Sequence, residues 1–194
     1  MSERAGGQAA RTIEFAAADL LGDAGWDEAA AGADYVLHTA SPMPFDPAVD
    51  LITTALEGTR RVLSAAAGAG VRRAVLTSSG VAAGSGDPDT PATETTWTAP
   101  SGTPARAYPD SKILAEHDAW DLAAATGLEL TAVLPTFMQG PVLGAPGGPG
   151  TVDVVRRLLA GKIPAVPNLG WNVVDVRDVA ELHILAMTAE SRQG

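Results

Sequence analysis

The sequence predicts an α/β fold built on a parallel sheet. Strand-like and helix-like segments alternate along the whole chain, and the strand-like runs are short and continuously apolar. Continuous apolar strands suit a sheet covered on both faces, whereas a half-exposed antiparallel sheet would alternate polar with apolar positions. The chain has 194 residues, against roughly 150 for one typical domain. It shows no repeat and no second domain.

Residues 1–11 are small and polar and read as a disordered tail, leaving 12–194 as the domain. Thr12–Ala16 reads as a strand ending at Ala18-Asp19-Leu20. Residues 25–32 form a short helix closed by Gly32, and Tyr35–His38 is the next apolar strand. A helix fits residues 48–67, where Val49, Ile52, Leu56, Val62 and Leu63 recur near helical period and Gly68 and Gly70 mark the end. Strands at 72–77, 128–134 and 172–175 alternate with helices at 107–126, 151–160 and 177–189. Two stretches rich in Gly and Pro, 80–106 and 135–150, read as loops, and loops of that length are usually functional. Ligands of parallel sheets bind at the carboxyl ends of the strands. That directs attention to residues 18–22, 39–44, 77–84 and 135–150.

Composition removes several function classes. The chain carries 13 basic and 23 acidic residues, a net charge of −10. A nucleic-acid partner is therefore not expected, since no basic stripe is present to displace counterions. There is no cysteine, and the three histidines, His38, His117 and His183, share no ligand spacing, so no metal site is expected. No apolar run approaches the roughly 20 residues of a membrane span, and the N-terminus lacks an apolar signal core. A soluble cytoplasmic globular protein is the expectation.

Tyr108 and Lys112 stand four residues apart on the helix expected over 107–126, which puts both on one face. The chain has two tyrosines and two lysines, so chance would produce this spacing only roughly 0.02 times. A phenol with an ordinary pKa near 10 is a poor acid–base catalyst at neutral pH. A neighbouring ammonium favours phenolate and is expected to lower that value. Ser78 and Ser79, at the end of an apolar strand, are placed to hold a carbonyl oxygen.

The segment Tyr108-Pro109-Asp110-Ser111-Lys112 resembles the YxxSK signature of the short-chain dehydrogenase/reductase superfamily, and Leu76-Thr77-Ser78-Ser79-Gly80 resembles its strand-end serine motif. Further stretches resemble the extended branch, the NAD-dependent epimerase/dehydratase family, and within it the dihydroflavonol and cinnamoyl reductase type. They are Ala18-Asp19-Leu20, Val36 through Pro42, Glu57-Gly58-Thr59, Glu94-Thr95-Thr96-Trp97, Leu134-Pro135-Thr136, Gly140-Pro141 and Val174 through Ala180, in family order. The resemblance implies a Rossmann-like, doubly wound parallel sheet and a hydride transfer between NAD or NADP and a carbonyl or carbinol carbon. By the same resemblance, Tyr108 is the general acid–base, Lys112 its tuner and a ribose ligand, and Ser79 the serine that orients the carbonyl. Asp19 and Leu20 match the adenine-contacting pair. Thr39, Ala40 and Ser41 match the segment along the ribose and phosphates, with Ser78 beside it. Pro135 and Thr136 match the residues flanking the nicotinamide. A homodimer packed through the 48–67 and Tyr-bearing helices is also implied.

One element of the pattern is missing. No G-x-x-G-x-x-G precedes Asp19; Gly6-Gly7 alone is not one. The resemblance then implies an incomplete sheet whose first two strands and phosphate-binding turn are absent, and a chain that is a truncated form. The strand at 12–16 either docks directly beside Tyr35–His38 or leaves that strand as an open edge, a recognised hazard for aggregation. The alternative function is a catalytically inactive Rossmann-like remnant acting as an interaction module.

Plainer roles fit other residues. His38 reads as a packed strand residue, and His117 and His183 as helix-surface residues. Asp175, Arg177 and Asp178 read as capping the last helix. Glu94 and Trp97 either fold the long loop or touch substrate, and Trp97, Phe137 and Met138 hint at a partly apolar substrate.

Overall fold

The computed structural model describes residues 13–84, 89–143, 150–163 and 170–190. The tail at 1–11 and Thr12 lie outside the described residues. In chain order the elements are α1 (Trp26–Ala30), β1 (Tyr35–His38), α2 (Leu51–Gly68), β2 (Arg73–Thr77), α3 (Ala107–Thr126), β3 (Glu129–Val133), β4 (Phe137–Gln139), α4 (Thr151–Leu159), β5 (Val173–Asp175) and α5 (Val176–Thr188).

Three strands form the main sheet in the order β1-β2-β3, all parallel. Tyr35 pairs with Arg73 and Arg73 with Glu129, so the three strands run in step. Their carboxyl ends finish along one edge, where the turns after His38, Thr77 and Val133 come side by side. Side chains alternate across β2. Ala74 and Leu76 join Leu63 and Ala66 of α2 and Ala119 of α3 in the buried core. Arg73 and Thr77 point the other way. The Arg73 guanidinium donates to the carbonyls of Ala186 and Ala189 at the end of α5, at 2.8 and 2.7 Å. The Thr77 hydroxyl meets His183 of α5 at 2.7 Å. Helices therefore cover both faces, as continuous apolar strands require.

His183 corrects an expectation: it is buried rather than on the helix surface. Its other ring nitrogen lies 2.7 Å from the Val179 carbonyl. Both ring nitrogens are thereby engaged, which makes burial of the imidazole affordable.

Local chemistry sets the helix ends. Asp50 caps α2 by accepting from the Thr53 amide at 3.0 Å and its hydroxyl at 2.7 Å. The helix therefore starts later than residue 48, and Val49 is exposed outside it rather than part of the core stripe. Val62 and Leu63 are buried as anticipated. At the far end the amides of Gly70 and Val71 close on Ala67 and Ala66 carbonyls. Asp175 caps α5 through the Arg177 amide at 2.8 Å and pairs with the Arg177 guanidinium, which is the capping role read for these residues.

Two further elements differ from the sequence reading. Residues 13–16 form no strand. Ile13 and Phe15 are 50% and 83% exposed, and no strand among the described residues takes up their backbone groups. Among the described residues β1 is consequently an open edge, with Leu37 41% exposed. The stretch 135–150 is not all loop: β4 lies within it and pairs in parallel with β5 as a separate two-stranded sheet. Its partner arrives more than thirty residues later in the chain, so no local pattern marks it.

The turn at Ala18–Gly22 is fastened to α2. Leu20 lies over Gly58, where an added Cβ would sit 2.7 Å from the Leu20 Cδ2. The Arg61 guanidinium holds the Leu20 carbonyl at 2.9 Å and Asp23 at 2.5 Å. Gly58→Ala should therefore destabilise the chain by about 1–3 kcal/mol through overpacking, measured as the urea midpoint at constant slope. Leu20→Ala in the same chain should recover most of that loss; no recovery would place the strain elsewhere.

Candidate active site

Helix α3 buries a set of groups that water ordinarily keeps. Asp110, Ser111, Lys112 and Glu116 are all no more than 6% exposed. Each polar atom taken from water needs a partner, or its loss shows as a shifted pKa. Ser111 donates back to the Tyr108 carbonyl at 2.7 Å. Asp110 accepts from the amides of Ser101 and Gly102 at 2.9 and 2.8 Å and from the Ser101 hydroxyl at 3.1 Å. These bonds hold its carboxyl below the usual range, the Ser101 amide contributing most. They also pin the preceding loop against the helix, directly before Tyr108. Sequence reasoning passed over Asp110, although it sits inside the quoted signature.

Tyr108 and Lys112 share a face as the spacing required. The ammonium lies 5.9 Å from the centre of the phenol ring. Lys112 makes no ion pair among the described residues, and burial pulls its pKa down from 10.5 to about 8, partly offset by the Glu116 charge. The expected depression of the Tyr108 pKa is not what the structure gives. Burial raises it, and a hydrogen bond with Ser79 only partly offsets the rise. Desolvation of the half-buried ring outweighs an ammonium several ångströms away.

The β2 end brings the serines in. Ser78 and Ser79 are both buried. The Ser78 amide donates to the Val133 carbonyl at 2.9 Å, and the Gly80 amide to the Pro135 carbonyl at 3.0 Å. A Cβ at Gly80 would stand 3.0 Å from the Thr136 methyl, so only glycine lets the turns come this close without displacement. Ser79, Tyr108, Lys112, Pro135 and Thr136 are thus gathered at one edge of the sheet. Ser78 turns inward, donating its hydroxyl to the Glu116 carboxylate. His38 ends β1 as a packed residue, 3.2 Å from the Thr59 hydroxyl. Burial, then the nearby Lys112 charge, lowers its pKa to about 4. Thr39 and Ala40 follow, exposed, with Ser41 half-buried.

Asp19 and Leu20 sit apart from this group, their contacts running to α1 and α2. Asp19 caps its own turn by accepting from the Leu21 amide at 2.8 Å. Its carbonyl takes the Trp26 indole N–H at 3.1 Å. Trp97 stacks on the exposed His117 with ring centres 4.1 Å apart, which makes it a fastening of the long loop. Phe137 stacks on Trp171 at 5.1 Å. Among the described residues no group of three or more His, Asp or Glu converges as a metal site, and no helix is long and apolar enough to cross a membrane.

The sequence profile of the NAD dependent epimerase/dehydratase family matches residues 2–194. The chain belongs to this family. Within it, the chain is 38% identical over 187 residues to cinnamoyl-CoA reductase 1 of Oryza sativa subsp. japonica, covering 94% of this chain and 54% of that protein. It is 32% identical over 197 residues to tetraketide alpha-pyrone reductase 2 of Arabidopsis thaliana, covering 96% and 61%. Among solved structures, yeast methylglyoxal/isovaleraldehyde reductase Gre2 complexed with NADPH superposes with a TM-score of 0.79 at 28% identity, covering 89% of this chain and 58% of that one. Vestitone reductase from alfalfa gives 0.71 at 25% identity, covering 90% and 56%. The chain therefore spans little more than half the length of these family members. The Rossmann-like α/β class expected from the sequence is the class of these neighbours, and the cofactor bound in family structures is NADPH or NAD.

The buried His38 generates a pH dependence. Its folded pKa, about 4, lies below the unfolded value near 6.5. The unfolded chain binds the extra proton between these values, so stability is complete above about pH 6.5 and falls as pH drops toward 4. The loss is on the order of 3 kcal/mol at 1.36 kcal/mol per unit. Urea midpoints at pH 7 and pH 4 should show it, and His38→Asn should flatten it; an equal slope in both proteins would refute it.

Proposed function

We propose that this chain carries the acid–base half of an NAD(P)-dependent reductase acting on the carbonyl group of a small, partly apolar molecule. The observation that supports it is the approach of Ser79 to the Tyr108 phenol, with Lys112 on the same helix face, at the carboxyl edge of a parallel sheet. The nicotinamide end of the cofactor fits the residues present: an open strand edge, a lysine with no ion-pair partner among the described residues, and the Pro135–Thr136 turn. Thr39, Ala40 and Ser41 would line the ribose and phosphates beside Ser78, and Asp19 and Leu20 the adenine. No G-x-x-G-x-x-G precedes Asp19 in this sequence to take the pyrophosphate.

When bound, the cofactor supplies a hydride to the carbonyl carbon. Ser79 donates a hydrogen bond to the carbonyl oxygen and holds it facing Tyr108. Tyr108, kept protonated by burial, gives its proton to that oxygen as negative charge develops there, and the product is an alcohol. Lys112 steadies the phenolate left behind and contacts the ribose. We place the activity in the cytoplasm and in a homodimer packed through α2 and α3.

A second reading rests on the open β1 edge: a Rossmann-like remnant that works by association. The two separate on one experiment. NADPH-dependent reduction of aromatic and aliphatic aldehydes by this chain should fall about 10²–10⁴-fold in Tyr108→Phe, with NADPH affinity by titration calorimetry changed less than about threefold. Unchanged turnover in that variant would refute the role of Tyr108. No binding of either nicotinamide cofactor by the unmodified chain would favour the association reading.

A further inference from the structure

Glu116 has no part in the chemistry above, yet its burial is unusual. It is 4% exposed and stands one helical turn beyond Lys112, on the same face. A buried carboxylate is costly unless hydrogen-bonded. One of its oxygens accepts from the Ser78 hydroxyl and the other from the Trp120 indole N–H at 3.4 Å. Ser78 precedes Ser79 directly, so the same bond fastens the serine turn of β2 to the helix that bears Tyr108. We propose that Glu116 is a positioning residue for this site: anchored by Ser78 and Trp120, its carboxylate supplies the negative charge that keeps the Lys112 ammonium protonated beside Tyr108.

The surroundings of Lys112 leave this task to Glu116. From β1 it faces His38, which is buried and repelled by the Lys112 charge. From the end of β2 come Ser78 and Ser79, which are uncharged. Thr59 of α2 is occupied by His38, and Arg60 of α2 turns outward to Glu57 and Asp118. Tyr108, on the same helix, is held protonated by burial. Glu116 is the carboxylate that acts on Lys112, opposing the pull of desolvation. Its own carboxyl is raised by burial, with the Ser78 and Trp120 bonds and the charges of His117 and Lys112 working against the rise. The bonds that anchor it are therefore also what favours its charged form.

The inference rests on the reductase reading for the meaning of Lys112, but its test does not use activity. Lys112 and the exposed Lys162 are the two lysines of the sequence, so a chain labelled with ¹³C-lysine gives two side-chain signals and an internal reference. Glu116→Gln keeps the size of the side chain and an acceptor for Ser78 while removing the charge. The Lys112 midpoint should fall by at least about 0.5 unit in this variant, with Lys162 unmoved. A Lys112 midpoint that stays within about 0.2 unit of the unmodified chain overturns the proposal. Should Glu116→Gln fail to fold, the unmodified chain decides. Its Lys112 signal should carry a second, acid-side inflection that persists in His38→Asn and His117→Asn, and its absence overturns the proposal. Failure here leaves the Tyr108→Phe result untouched, so the two readings fail separately.

Discussion

The rest of the structure depends on the burial of a polar helix face. A helix that covers a sheet normally presents an apolar stripe. Helix α3 instead places Asp110, Ser111, Lys112 and Glu116 inside, alongside Ile113, Ala115 and Ala119. Taking such groups from water costs several kcal/mol apiece unless they are partnered. The partners of Asp110 and Glu116 come from elsewhere in the chain: the loop amides of Ser101 and Gly102, and Ser78 at the end of β2. Satisfying α3 therefore fixes the loop before it and the strand end beside it. The geometry of the candidate site follows from this demand for partners.

The parallel register supplies the remaining constraint. With β1, β2 and β3 in step, the turns after His38, Thr77 and Val133 meet at one edge. Gly80 lets two of those turns touch. Desolvation has a chemical consequence as well. It raises the Tyr108 phenol above its ordinary value and lowers the Lys112 ammonium from 10.5 to about 8, so burial favours the neutral form of both groups.

Much of this was legible in the sequence because it is local. The Tyr108–Lys112 spacing needs only helical period, and the apolar runs Tyr35–His38 and Arg73–Thr77 need only composition. What escaped is non-local. β4 exists through pairing with β5, which its own three residues do not announce. Ile13–Ala16 has strand-like residues but pairs with no strand among the described residues. His183 follows the helical pattern of a surface residue, yet Thr77 from a distant strand draws it inside. The direction of the Tyr108 shift depends on how much of the ring the loop and strand ends cover. Glu116 did leave a signal, an acid four residues after Lys112. Its meaning depends on Ser78, which lies nearly forty residues away.

The claim that burial, more than the neighbouring ammonium, governs the phenol can be measured directly. With ¹³C-labelled tyrosine, the chain gives two ring signals, from Tyr35 and Tyr108, and Tyr108→Phe assigns them. The Tyr108 ring should ionise above the ordinary value near 10. A midpoint near neutrality would contradict it, and would mean that Lys112 dominates a phenol that water still reaches.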